Sequence, residues 1–444
     1  MQKRPNIIFI VADDLGFADL GCYGGRDADF GPVSPVLDGL AERGMRFTQG
    51  YSNSPVCSPT RFALMTGRYQ YRLRGAAEEP INAKARGSTT LGLPADHPSL
   101  PSLLRNAGYR TALLGKWHLG YPPSFGPLRS GYDEFFGPLS GGVDYFTHCS
   151  SNGQHDLWIG EEAHHAEGYL TDLLSRGAVD YIGRMATRNR TEGEAPFFMS
   201  LHYTAPHWPW ETRDDAAAAP DIRGNLFHLD GGNIHTYRCM IHHMDEGIGW
   251  VMDALRHHGI ADETLVIFTS DNGGERFSDT WPLVGGKMDL TEGGIRVPWI
   301  AHWPAAVPAG TSSSQHCMTM DWSATCLDVA GASSDPDYPL DGRSLSPTLR
   351  DPNHVVDRPL FWRMNHRGQR AMREGKWKYL RVEGHDYLFD LDGDERERAN
   401  QAARQPARLR DMREAWESWD ATMPAIPADA TVSLGYGPQD MPQR

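Results

Sequence analysis

The chain has 444 residues, enough for a large core and a smaller second unit at the usual ~100 to 200 residues per domain. Hydrophobic residues make up 40%, and 47 Gly and 31 Pro suit a loop-rich globular protein rather than a disordered or fibrous one. The formal charge of -14 argues against nucleic acid as a partner, although a few converging Lys, Arg and metal charges still admit a small anion.

In chain order, polar Met1-Gln2-Lys3-Arg4-Pro5 leads into the apolar run Ile7 to Ala12, which ends in Asp13 and Asp14 and predicts a core strand. That run is too short for an export signal, and no stretch reaches the roughly 20 apolar residues of a membrane helix. Six sparse cysteines (Cys22, Cys57, Cys149, Cys239, Cys317, Cys326) predict reduced thiols. The expectation is a cytoplasmic protein with no membrane partner, or a periplasmic or secreted one if a signal has been trimmed.

Further apolar runs at Tyr109 to Gly115, Pro196 to His202, Thr264 to Thr269 and Val297 to Trp303 predict strands buried on both faces. Tyr237, Ile241, Met244, Ile248, Val251 and Leu255 step by threes and fours along one helix face, and Gly259 ends that helix. The alternation predicts an α/β fold: a large mixed, mostly parallel sheet sandwiched by helices, with ligands bound beyond the carboxyl ends of its strands. Asp, Pro and Ser accumulate from Ser333 to Arg350, which divides the chain into a domain over 1–340 and a small α+β unit over 341–444. The latter is predicted to hold an antiparallel sheet (Gln369 to Met372, Lys376 to Val382, Tyr387 to Leu391), a helix through Pro406 to Trp419 and an extended Pro- and Gly-rich tail.

The candidate chemical groups fall at the predicted strand ends. Asp13 and Asp14 end the first strand, and Asp271 and Asn272 end a later one. Hard cations take oxygen ligands, and a bound cation explains why mutually repelling carboxylates keep company; helix caps and turns are the bland alternative for each pair. Cys57 stands in Ser54-Pro55-Val56-Cys57-Ser58-Pro59-Thr60-Arg61, at a predicted helix N-terminus whose amides, with Arg61, favour negative charge. Taken alone, a buried structural thiol is the commoner fate of such a residue. Lys116 and His118 follow a strand at a two-residue spacing that would place both on one face of extended chain. His207 lies between Pro206 and Pro209, and Lys287 follows Gly285-Gly286.

Four blocks in order then carry a resemblance. They are Cys57-Ser58-Pro59-Thr60-Arg61 with Leu64 to Tyr69, Gly115-Lys116-Trp117-His118-Leu119-Gly120, Asp271-Asn272-Gly273-Gly274, and Thr291 to Pro298. Together they resemble the type I, formylglycine-dependent sulfatases of the alkaline-phosphatase superfamily. The resemblance implies an alkaline-phosphatase-like fold and hydrolysis of sulfate monoesters, aryl or carbohydrate. It further implies oxidation of Cys57 to formylglycine (3-oxoalanine) by a formylglycine-generating maturation enzyme.

One calcium per chain, ahead of magnesium or manganese, is implied at Asp13, Asp14, Asp271, Asn272 and modified Cys57. The hydrated aldehyde supplies the nucleophile, which the metal and Arg61 keep ionised; Lys116 and Lys287 neutralise sulfate oxygens and His207 protonates the leaving alcohol. His118 then deprotonates the second hydroxyl, expelling sulfate and regenerating the aldehyde. Thr60, at a position often Ser, and bulky Phe62 after Arg61 depart modestly from the family pattern. The small C-terminal sheet is expected to wall one side of the cleft.

Three histidine pairs, His164-His165, His242-His243 and His257-His258, do not suit zinc, because adjacent helical side chains diverge. The loop Gly137 to Gly160, with Asp144, Tyr145, His148, His155 and Trp158, reads equally as a pocket wall and as a packed lid. Two rival functions are a phosphonate or phosphate ester hydrolase of the same superfamily and a non-catalytic binder of sulfated glycans. The physiological ester and the oligomeric state are not legible.

Overall fold

The computed structural model describes residues 4–25, 30–193, 195–222 and 232–434. Among these, the main sheet has ten strands. From one edge to the other they are Thr311–Ser313, Met45–Phe47, Trp299–His302, Thr264–Ser270, Asn6–Ala12, Phe197–His202, Arg110–Gly115, Glu134–Gly137, Trp158–Ile159 and Glu162–Ala163. The middle of the sheet is parallel, and Trp299–His302 on one side and Trp158–Ile159 on the other pair antiparallel.

Asn6–Ala12 shows why the centre of the sheet is buried on both faces. Its alternate residues Ile8, Ile10 and Ala12 join a core with Ile182, Ile241, Met244 and Ile248, from the helices Leu170–Glu192 and Ile234–His257. Ile7, Phe9 and Val11 point the other way, to Phe62, Leu104 and Trp322 of the helices Cys57–Thr66, Leu100–Asn106 and Thr319–Ala330. Each fully buried aliphatic side chain of this kind contributes about 1.5 to 3 kcal/mol relative to exposure, so the two-sided run fixes the strand as the sheet's centre.

Strand Val297 to Trp303 of the sequence reading is shorter, Trp299–His302, and His258 and Gly259 (φ 70°) end the long helix as anticipated. The C-terminal sheet has four strands rather than three: Leu360–Arg363 precedes Arg370–Glu374, Trp377–Val382 and His385–Asp390. Short and flanked by polar loop, Leu360–Arg363 has no alternation to announce it. This sheet and the helix Pro406–Asp420 share a third core with Tyr51, Leu290, Ile295 and Met318 of the large body. Residues 425–434 run without helix or strand except for an isolated parallel bridge between Val432 and Glu79; 435–444 lie outside the described residues.

Candidate active site

The register of the four central parallel strands brings their carboxyl ends to one edge: Val11 pairs with His202, Ala12 with Ser270, and Gly115 with His202. Asp13, Asp271 and Lys116 therefore emerge side by side, their amides donating to Ala205, Ala12 and His202 carbonyls at 3.0, 3.1 and 2.8 Å. Gly115 is required where it stands. Its φ is 115°, and a Cβ there would come within 1.8 Å of the His202 carbonyl oxygen.

Cys57 is the first residue of a helix whose ten residues are all buried. The turn before it is closed by Thr60, whose hydroxyl accepts from the Ser54 amide at 3.0 Å and donates to the Ser54 carbonyl at 2.8 Å. Thr60 thus does what a serine would do there, and Phe62 is simply core. Ligand atoms of Asp13, Asp14, Cys57 and Asp271 all lie within 4.8 Å of one another. Asn272 donates to Asp14 Oδ1 at 2.7 Å, leaving its own Oδ1 buried without a partner.

The charge balance around this cluster is tight. Burial, and the charges of Asp271 and Asp14, push the Asp13 carboxyl up to about 8 against the pull of Lys116, whose Nζ donates to Asp13 Oδ2 at 2.6 Å. Burial also works against charge on Asp14, but Lys287, His207 and Lys116 outweigh it and hold that carboxyl below its ordinary range. Lys287 Nζ donates to Asp14 Oδ2 at 2.6 Å. Arg61, 1% exposed, donates from Nε to Asp271 Oδ2 at 3.0 Å and from Nη1 to the Lys116 carbonyl at 3.2 Å. Three carboxylates and an amide oxygen with no partner form a hard-donor set that fits a divalent cation, calcium among them, with Cys57 beside them as the place for a fifth ligand. Burial raises the Cys57 thiol well above its usual range despite Lys116 and Lys287, so an unmodified Cys57 is a thiol and a poor nucleophile.

Two imidazoles flank Cys57. His118 Nε2 lies 2.7 Å from the Ile81 carbonyl oxygen, which fixes that nitrogen as the N–H and leaves Nδ1, buried and unpartnered, as the basic atom. Burial and Lys116 depress its pKa far enough to keep it neutral. The chain is not extended here, as its spacing from Lys116 had suggested. His118 has φ 59°, and this left-handed turn sends the two side chains apart: Lys116 down against Asp13, His118 into the cleft. His207 gives its Nδ1 proton to the Trp208 carbonyl at 2.6 Å, and its Nε2 lies 3.6 Å from Asp14 Oδ2. Burial and then Lys287 lower its pKa, while Asp14 opposes them, so a proton placed on Nε2 is held weakly and readily given up.

Cys57, His118, His207 and Lys287 open together into a cleft of about 740 Å³. The sulfatase family model matches residues 5–332. The chain belongs to the sulfatase family. It is a sulfuric ester hydrolase with an alkaline-phosphatase-like fold, as the four sequence blocks implied. The sulfatase is 33% identical over 382 residues to N-acetylgalactosamine-6-sulfatase of Rattus norvegicus, covering 81% of this chain and 68% of that one. It is similar to the solved structure of Ps i-CgsB in complex with k-i-k-neocarrahexaose, with TM-score 0.81, 33% identity and 94% and 93% of the two chains covered. The phosphonate monoester hydrolase of Agrobacterium radiobacter, at 20% identity and TM-score 0.65 with 94% and 96% of the two chains covered, shares the fold.

Within the sulfatase cleft, one contributor carried no sequence signal, while others come from the loop already singled out, Gly137 to Gly160. The Ile81 carbonyl acts through backbone, and its own amide is held by Ser58 Oγ at 2.9 Å. Ser140, Gly141 and Gly142 line the cleft, and a Cβ at Gly141 would strike the His118 ring at 2.4 Å. The glycine-rich loop is thus both wall and packed structure: Asp144, Tyr145 and His148 are buried, and Tyr145 donates to the His207 carbonyl at 2.9 Å. The wall opposite comes from the tail, Asp429 and Thr431 to Leu434, and not from the C-terminal sheet expected there. The paired histidines stay at the surface or half-buried, away from the cleft.

Proposed function

We propose that the protein hydrolyses sulfate monoesters of carbohydrates or aryl alcohols, using formylglycine made from Cys57 and a calcium ion held by Asp13, Asp14, Asp271, Asn272 and the modified Cys57. The observation that carries this reading is the convergence of four ligand groups within 4.8 Å at Cys57, which opens into a cleft that also presents two histidines and a lysine. The modified side chain supplies an oxygen nucleophile, and the cation supplies the positive charge that favours its ionised form.

The chain's own residues do the rest. Lys287, and Lys116 from beneath, place positive charge where the sulfate oxygens sit, while Arg61 balances Asp271. His207, oriented by the Trp208 carbonyl, donates the Nε2 proton to the departing alcohol oxygen as the S–O bond breaks. His118 Nδ1, the free basic atom, accepts the proton whose removal lets sulfate go. The rat relative is named for an N-acetylgalactosamine 6-sulfate and the Ps i-CgsB structure holds a hexaose, which favours a carbohydrate ester here. A formylglycine-generating enzyme is the partner this chemistry requires.

The test is the mass of the peptide spanning Cys57, from a host that supplies the maturation enzyme, followed by initial rates on matched aryl sulfate, phosphomonoester and phosphonate substrates. A loss of about 18 Da at Cys57 with preference for the sulfate is expected. A large phosphonate preference would overturn the sulfatase assignment, and no turnover by the modified, calcium-loaded protein would turn the reading to a glycan binder.

A further inference from the structure

Lys287 rides on a stretch of chain with no regular structure, and the residue after it, Met288, has φ 75°. A side-chain-bearing residue in the left-handed region is held there only when its surroundings over-determine it. Three hydrogen bonds do so. The Met288 amide donates to the Pro55 carbonyl at 2.9 Å, tying the loop to the turn before Cys57. Gln369 Nε2 donates to the Met288 carbonyl at 2.8 Å, and Gln369 Oε1 accepts from the Leu290 amide at 2.9 Å.

Gln369 therefore uses both ends of its amide on backbone groups two residues apart, as a strand partner would. It is 1% exposed and sits immediately before Arg370–Glu374 of the C-terminal sheet. No residue of that sheet, Leu360 to Asp390, lines the cleft. On the other side, the Lys287 amide donates to the Gly274 carbonyl at 3.0 Å, two residues beyond Asn272. The backbone carrying Lys287 is thus clamped between the cation-binding edge and one glutamine of the small sheet.

We infer that Gln369 is a positioning residue for Lys287, fixing its ammonium group beside Asp14 and Cys57, so that the C-terminal sheet takes part in catalysis without touching substrate. The inference rests on the proposed role of Lys287 at the sulfate. An ammonium group displaced by about 1 Å loses up to a hundredfold in rate, and a residue acting only through Lys287 has nothing to lose once Lys287 is gone.

The experiment is a double-mutant cycle on the matured, calcium-loaded enzyme with an aryl sulfate, comparing wild type, Gln369→Leu, Lys287→Ala and the double variant. Gln369→Leu keeps the bulk and removes both hydrogen bonds; kcat is expected to fall about ten- to a hundredfold, with KM changed far less. In the Lys287→Ala background the same substitution should cost less than about twofold. Equal losses in both backgrounds would overturn the positioning role while leaving Lys287 at the sulfate, as would a folded Gln369→Leu with wild-type kcat. An unimpaired Lys287→Ala would overturn both readings. If Gln369→Leu does not fold, Gln369→Glu, which keeps the acceptor for Leu290 and loses the donor to Met288, goes through the same cycle with the same criteria.

Discussion

His118 and His207 differ in which nitrogen the backbone has claimed. The Ile81 carbonyl takes the Nε2 proton of His118 and the Trp208 carbonyl takes the Nδ1 proton of His207, so opposite nitrogens are left to face the cleft. On the proposed chemistry, a base with one free lone pair and an acid with one weakly held proton follow from two carbonyl positions. His207→Ala is expected to slow esters with poor leaving groups by about 10² to 10⁴ and those with good ones much less. A plot of rate against leaving-group pKa checks this, and parallel losses across the series would remove the general-acid role. Cys57→Ala should abolish turnover and leave the melting temperature within a few degrees of wild type, since the substitution removes one atom from a helix start that keeps its packing. Retained activity would show that some other group is the nucleophile.

At the scale of elements, much was legible because periodicity speaks clearly for long buried segments. The two-sided run of Asn6–Ala12 and the one-sided stripe of Ile234–His257 gave the sheet and one covering layer. Asp13, Asp14, Asp271 and Asn272 were readable as one cluster because parallel strands deliver their ends to one edge. The left-handed turn at His118 was not, since no residue type there demands it, and neither was the Ile81 carbonyl, which leaves no mark on side-chain identity. Gln369 was read as the start of a strand; its use as a clamp depends on a contact across 79 to 81 residues of chain.

The same scale holds a pH effect. Glu79 accepts the Asn365 and His366 amides at 2.7 and 2.8 Å, fastening the small unit to the body, and burial pushes its carboxyl up from 4.5 to about 7 against the pull of those bonds. A raised folded pKa means the native state binds the extra proton. The stabilisation is complete below the unfolded value of 4.5 and is lost as pH rises through about 7, by at most ~3 kcal/mol. Burial raises Asp19 and Asp245 to about 7 as well, with the same sign. Glu79→Gln should therefore shift the change in melting temperature between pH 5 and pH 8 in favour of the higher pH, relative to wild type, because it removes one contribution lost on raising the pH; an unchanged slope would remove Glu79 from the account.

For the molecule as a whole, the cleft is a joint product of distant segments. Its floor is Cys57 with His118, His207 and Lys287, one wall is the glycine-rich loop, and the other is Pro80 to Ala85 with the tail laid beside it. The tail is held by the Glu79 amide donating to the Thr431 carbonyl and the Ser433 amide donating to the Glu79 carbonyl, each at 2.9 Å. Ser433 Oγ adds a bond to the Pro80 carbonyl at 2.8 Å. Val432 faces this cleft at 37% exposure, so Val432→Trp should fill the mouth at little cost in stability. KM for a sulfated oligosaccharide should rise about tenfold and KM for a small aryl sulfate should stay as it is; equal effects on both would mean that the tail does not shape the leaving-group side.

That wall also sets a timetable. Thr431 bonds to Glu78 across 353 residues of chain, which at roughly 5 to 20 residues per second takes about 18 to 70 s to synthesise. For that interval the segment around Cys57 belongs to a growing chain whose cleft is incomplete, and afterwards Cys57 is 1% exposed. On the proposed chemistry, the burial of Cys57 to Arg61 means that a maturation enzyme would reach this segment in the growing or unfolded chain and be shut out of the finished one.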